Sequence, residues 1–315
     1  MADPHLPDPV QLAVPAFVAL MVIEIIAYRM RMRRGTLAGT AGYEPRDTLT
    51  SLLLGLGSTI AGALFGGVVI AVFVAVYRYR LFDFGYVWWA WPAAFVLDDL
   101  AYYWYHRFGH RIRWFWAAHV IHHTSQHYNL STALRQTWTG FFTFGLLFRL
   151  PLVVIGFPPP LILVVGGINL IYQFWIHTEL IRRMPGWFEA VMNTPSHHRV
   201  HHAINPRYLD ANYAGVFIVW DKLFGTFVPE EERAGEPIRY GVVKQLGSFN
   251  VLWAAFHEWI AMAVDVWRAP WGSKLGYMIR EPGWSHDGSR DNSERIREKW
   301  AARRAATEGA AIAQV

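Results

Sequence analysis

The chain has 315 residues, 53% of them hydrophobic, with 16 Trp, 14 Tyr, 20 Phe, 14 His, no cysteine and a formal net charge of +5. That apolar share exceeds an ordinary soluble domain, where it runs to roughly 45–50% with glycine counted, and the absence of cysteine excludes disulfides, thiolate-held zinc and cysteine-held iron–sulfur clusters. Lys and Arg gather at the ends of apolar runs rather than in an aromatic-interleaved stripe, which points to a membrane and away from nucleic acid.

The first apolar run, about residues 10–28, has the length of a spanning helix, roughly 20 residues. The acidic "MADPHLPDP" before it and the lack of a small-residue cleavage site argue against a cleavable signal. "RMRMRR" at 29–34 places that end on the cytoplasmic side by the positive-inside rule. Glu24 within the run is expected to face protein. A second run, 49–77, is rich in Gly, Ala and Ser, which lets helices approach closely. The third runs from Gly85 to His106, with interfacial Trp and Tyr residues and with Asp98 and Asp99 at a protein-facing end. Runs four and five, about 138–156 and 160–178, are separated by "GFPPP" and read as a hairpin that enters and leaves on one side. Arg149 sits awkwardly inside it and suggests an interfacial position. Residues 230–237 form a polar loop. The stretch 249–267 carries Phe249, Trp253, Phe256, Ile260 and Val264 at helical spacing, as an interfacial or packing helix does. The tail from 286 is charged, then Ala-rich, and solvated.

These elements predict an all-α integral membrane protein with about four to five membrane-embedded helices and a cytoplasmic histidine-rich helical cap. Three parts are expected: N-terminal membrane helices at 1–84, a catalytic unit at 85–230, and a C-terminal helix with charged tail at 231–315. The N-terminus would lie outside and both histidine-rich segments, 106–127 and 197–202, in the cytoplasm.

The histidines carry the chemistry. His106 and His110 are four apart, so a helix puts both on one face. His119, His122 and His123 have i, i+3, i+4 spacing, repeated by His198, His201 and His202. His177 stands alone in "QFWIHTE". Neutral imidazole suits iron, zinc, copper or nickel. One ion takes about four to six ligands, so nine imidazoles are an excess for one ion and a natural number for two. Two redox-active irons can activate dioxygen, whereas a zinc hydrolase needs only about three protein ligands per ion. His5, His257 and His286 read as surface or interface groups, and His127 as a surface group or one standing behind the ligands. A metal-binding transporter or a bis-histidine haem protein is the competing class. Dense clusters at helix ends fit neither, since haem needs only facing single histidines and transporters bind near the midplane.

The pattern HxxxH, HxxHH, HxxHH resembles the fatty acid hydroxylase/sterol desaturase superfamily of membrane diiron oxygenases. "FWAAHVIHHTSQHYNLSTALRQ", "YQFWIHTELI", "NTPSHHRVHH" and "DANYAGVFIVWDKLFGTF" are most similar to its ether-lipid-cleaving branch, the alkylglycerol monooxygenases. The resemblance covers about 85–230 strongly and the flanks weakly. It implies a lipid monooxygenase using two Fe and O2, with His106, His110, His119, His122, His123, His198, His201 and His202 as ligands and His177 as the ninth. Asp99 is expected to orient an imidazole through its second nitrogen, Gln173 to hydrogen-bond a ligand or a bound water, and His197 to stand behind the ligands or at the surface; Asp210, Asn212 and Asp221 are expected to orient imidazoles from behind or to cap loops. Asn129 and Arg135 are expected along the substrate path, Arg135 meeting a lipid head group or reaching the interface. Sterol or fatty-acyl hydroxylation or desaturation is the alternative within the superfamily. The branch implies tetrahydrobiopterin as reductant. Arg111, however, occupies the position after the second HxxxH histidine where that branch carries glutamate, so a pterin and a separate electron-donor protein both stay open. The lipid substrate would arrive from the bilayer; the oligomeric state is open.

Overall fold

A computed structural model describes residues 6–35, 42–231 and 236–312. Twelve helices run through these residues: α1 (Pro9–Arg33), α2 (Pro45–Tyr77), α3 (Ala90–Arg111), α4 (Arg113–His123), α5 (Leu146–Ile155), α6 (Pro159–Trp175), α7 (Gly186–Val191), α8 (Pro195–His201), α9 (Val219–Leu223), α10 (Val251–Arg268), α11 (Gly276–Ile279) and α12 (Ser293–Ile312). Among the described residues there is no strand, only the isolated bridges Met192–Phe217 and Ala203–Tyr240. His5 lies outside the described residues, as does the middle of the 230–237 loop.

Local signals set the helix ends. Asp8 accepts a hydrogen bond from the Val10 amide at 2.9 Å, and Pro9 occupies the first turn. Arg31 and Arg33 complement the α1 dipole in its last turn, so the helix runs past the apolar residues into the basic ones. Glu44 and Pro45 start α2 in the same way, and Asn250 caps α10 through the Trp253 amide at 2.9 Å. Both α1 and α2 are long and apolar enough to cross a membrane. Large side chains stand bare along them, including Leu12, Ile23, Leu56 and Leu64.

Helix α3 packs against α4, α5 and α6, while α1 lies on α6 and α2 on α5. The α5–α6 turn meets the far end of α2, where the Leu81 amide donates to the Val154 carbonyl at 2.8 Å. At the opposite end α1 meets the segment after α6: Tyr28 donates to Glu179 at 3.0 Å and Arg31 to the Leu180 carbonyl at 3.1 Å. The histidine-bearing ends of α3, α4 and α6 gather here, beside the basic end of α1. Gly57 lets the Trp138 indole lie on α2; a Cβ there would stand 2.1 Å from the ring. The indole Nε1 then donates to the Leu54 carbonyl at 2.8 Å.

Two buried carboxylates inside the bundle, Glu24 and Asp98, are paired, as burial requires. Glu24 faces protein: it accepts from the Leu130 amide at 2.8 Å, from the Thr178 hydroxyl at 2.5 Å, and from Tyr43. One expectation is corrected. The fourth apolar run is helical only from Leu146, since residues 140–143 form a 3-10 turn and Phe144 adopts φ 53°. The awkward Arg149 has a partner: its Nε donates to the fully buried Asp98 at 2.6 Å, joining α5 to α3.

Candidate metal centre

The nine imidazoles named from sequence converge in two groups. His106, His110, His119, His123 and His201 form one; His122, His177, His198 and His202 form the other, and within each group the candidate ligand nitrogens all lie within 4.8 Å. The i, i+4 pairs stay together: His106 with His110, His119 with His123, His198 with His202. The i+3 residues cross over, so His122 leaves its neighbours for the second group and His201 leaves its own for the first. Helices α4 and α8 therefore each contribute to both groups.

Backbone carbonyls set the tautomers. His106 Nδ1 lies 2.7 Å from the Tyr213 carbonyl, His201 Nδ1 3.0 Å from that of Ala211, His177 Nδ1 2.7 Å from that of Gln173, and His122 Nδ1 3.2 Å from that of Arg135. A carbonyl only accepts, so each Nδ1 carries the proton and each Nε2 keeps its lone pair for a metal. Burial pushes His119, His123, His198, His201 and His202 well below the ordinary imidazole range, and His122 down to about 4. All six are neutral at pH 7.

The fit to metal shows in the nitrogens themselves. Nε2 atoms of His106 and His119 stand 3.0 Å apart, those of His119 and His123 3.1 Å, and those of His198 and His177 3.0 Å. Metal–nitrogen bonds of about 2.1 Å separate neighbouring ligands by about 3.0–3.4 Å at octahedral to tetrahedral angles. His110 Nε2 and His201 Nε2 are buried with no hydrogen-bond partner, a cost that a bound cation removes.

The residues expected to support the imidazoles divide. Asp210 Oδ1 lies 3.7 Å from His110 Nδ1 and its Oδ2 3.7 Å from Arg111, which is 43% exposed. Burial pushes the Asp210 carboxyl up, but His110 and Arg111 beside it hold it below its ordinary range, so it is ionised. Asp99 touches no imidazole. It accepts from the Val216 and Phe217 amides at 2.8 and 2.9 Å, from Asn169 and from the Trp220 indole, and so ties α3 to the loop after Tyr213. The Gln173 side chain donates to Asn169 at 2.6 Å; only its carbonyl meets His177. Asn212 donates to the His197 and Val228 carbonyls, and Asp221 receives the Tyr213 and Ala214 amides, both at 2.8 Å. His197 belongs to neither group and packs on Phe227. His257 and His286 lie on the C-terminal segment, the latter against the Tyr277 hydroxyl.

The stretch "DANYA" does what its residue types did not announce. Asp210 and Asn212 adopt φ 55° and 58°, a left-handed conformation that Asp and Asn tolerate. Alternating with them, Ala211 and Tyr213 turn their carbonyls onto His201 and His106. Backbone oxygens carry no signature in sequence, so only the folded chain identifies them.

An apolar cavity of about 560 Å³ opens onto both groups, reaching His119, His122 and His177. Neither Asn129 nor Arg135 lines it, contrary to expectation. Arg135 is buried against Asp47, and Asn129 donates to the Gly42 carbonyl. A guanidinium with a buried carboxylate partner has no reason to reach for a head group.

Residues 91–226, the part of the chain that holds the imidazoles, match the fatty acid hydroxylase family. More particularly, the chain is 38% identical to the alkylglycerol monooxygenase of Homo sapiens over 285 residues, covering 89% of this chain and 61% of that protein. It is 36% identical to the alkylglycerol monooxygenase of Danio rerio over 289 residues, covering 89% and 61%. It is also 29% identical to ornithine lipid hydroxylase OlsE of Rhizobium tropici over 152 residues, covering 44% and 43%. The chain thus spans about three-fifths of the alkylglycerol monooxygenases it matches. No solved structure matches.

Proposed function

We propose that this chain is an integral membrane monooxygenase that uses two iron ions and O2 to hydroxylate a C–H bond of a lipid. The observation that carries this reading is the pair of imidazole groups, five and four strong, opening on one apolar cavity. Iron bound in these groups supplies dioxygen activation, which zinc cannot. The chain's own part is positional. Helices α3, α4 and α8 bring most of the rings together, the carbonyls of Ala211, Tyr213, Gln173 and Arg135 hold those of His201, His106, His177 and His122 with Nε2 forward, and burial keeps bulk water from the reacting carbon.

Similarity to alkylglycerol monooxygenases supports an ether lipid as substrate. Hydroxylation beside an ether oxygen gives a hemiacetal, which collapses to an aldehyde and a free glycerol hydroxyl. Similarity to an ornithine lipid hydroxylase supports a second outcome, hydroxylation without cleavage. A separate donor, pterin or protein, brings the electrons. Arg111, paired with Asp210 near His110, marks the side of the centre where a donor would meet it. The division at residues 84/85 and 230/231 is one of role rather than packing, because α10 lies against α4. Four to five helices lie in the bilayer, with the imidazoles at the face that carries Arg29–Arg34, the cytoplasmic one.

Metal analysis of the purified chain tests the reading. About two irons per chain without haem absorbance, with O2-dependent conversion of an alkylglycerol, are expected. His201→Ala is expected to lose bound iron and turnover together. Zinc alone in the wild type, or full activity in the variant, refutes it.

A further inference from the structure

The 560 Å³ cavity is long rather than round. On α2 its wall runs from Ser58 to Phe73, fifteen residues or about 22 Å of helix. From His177, just past the end of α6, it runs back along α6 to Leu163, and Leu163 and Leu170 are 41% and 45% exposed on the bundle surface. The space is therefore closed at the metal groups and reaches the outward face of the apolar helices. One leaflet of a bilayer hydrocarbon core measures about 15 Å, so the cavity has the length for a single lipid tail. Its walls are mainly aliphatic and aromatic. Arg149 borders it, with its charge held by Asp98.

One wall is made of glycine. Gly62 and Gly66 line the cavity four residues apart, and a Cβ at either would meet nothing within 4 Å. Gly67, next in sequence, also meets nothing within 4 Å but does not line the cavity. The small residues at 62 and 66 are not needed for close helix packing, since no neighbour approaches them. What they leave is space in the cavity.

We infer that this cavity binds the hydrocarbon tail of a bilayer lipid, and that Gly62 and Gly66 set the tail length the enzyme accepts. The inference rests on the proposed function, which it extends from reaction to selectivity. A leucine at 62 or 66 would occupy the lumen, and helix propensity favours leucine over glycine, so folding is preserved. A leucine at 67 would point elsewhere and serves as the control.

The test uses the full-length protein in phosphatidylcholine vesicles, as wild type, Gly62→Leu, Gly66→Leu and Gly67→Leu, with short-, medium- and long-chain 1-O-alkylglycerols. Gly62→Leu and Gly66→Leu are expected to lose roughly 10–200-fold in kcat/KM on long tails, the range a misfilled apolar pocket produces. Short tails and bound iron should stay as in the wild type, and Gly67→Leu should match the wild type throughout. A second arm needs no turnover: an alkylglycerol with a photoreactive tail should label Tyr102 and Phe148 inside the cavity in the wild type and Gly67→Leu, and at least tenfold less in Gly66→Leu. A loss uniform across tail lengths, an equal shift in Gly67→Leu, or equal labelling in all four proteins overturns the tail slot. Selective labelling without conversion of any alkylglycerol leaves the slot standing and overturns the proposed reaction.

Discussion

Replacing Asp47 by alanine should unfasten the metal centre from a distance. Asp47 and Arg135 are 4% and 2% exposed and meet at 2.6 Å. The guanidinium also donates to the Thr124 hydroxyl at 2.9 Å and to Ser51 at 3.2 Å, while the Ser125 hydroxyl donates to Asp47 at 2.6 Å. Thr124 and Ser125 directly follow His122 and His123, and the Arg135 carbonyl holds His122 Nδ1 at 3.2 Å. One buried ion pair thus clamps the start of α2, the end of α4 and the 132–135 turn together. Removing one partner strands a buried charge, at about 3–5 kcal/mol. For a chain of this size, unfolding with an entropy of about 2.1 cal/mol/K per residue, that corresponds to a fall in Tm of about 5–8 °C. Iron should also be lost first from the group containing His122. Thermal unfolding in detergent, read beside iron content, measures both effects. The double variant Asp47→Leu/Arg135→Met removes both charges and should recover most of the lost stability. The reasoning fails if Asp47→Ala shifts Tm by less than about 2 °C, which is about 1.3 kcal/mol on the same scale. It also fails if the double variant is no more stable than the single one.

Asp210→Asn removes the carboxylate 3.7 Å from His110 while keeping the side chain's shape. Support of this kind for a ligand is typically worth 10–100-fold in metal affinity, so iron should be released at correspondingly lower chelator concentration, with little change in Tm. Stability of the metal-free protein should be flat above neutrality and fall with acid. Burial lowers the folded-state values of His122 and His197 to about 4, below an ordinary value near 6.5. The unfolded chain therefore binds protons first, and stability is lost as pH drops from about 6.5 toward 4. Unfolding midpoints measured across that range check the sign; a rise in stability on acidification would refute it.

Much of the centre was legible in residue types and spacing. HxxxH and HxxHH need only a 3.6-residue period to place imidazoles on one side, and apolar runs of spanning length announce α1 and α2 without tertiary information. The proline-broken hairpin of α5 and α6 was visible for the same reason. Spacing could not say which imidazoles share an ion. His122 and His201 crossed between groups because α4 and α8 pass between them, and that depends on how four helices pack.

The sequence by itself determined the chemistry available: nine imidazoles, no thiol, and two helices long and apolar enough to cross a membrane. Only tertiary structure decided how that chemistry is arranged. Arg135 looked like a lipid contact until packing buried it against Asp47, a partner 88 residues away. Asp99 looked like a brace for an imidazole until it was found holding the amides of Val216 and Phe217. The carbonyls of Ala211 and Tyr213 were invisible because every residue has one. Local pattern reports what a side chain is, but its partner is set by contacts between distant segments, and those exist only once the chain has folded.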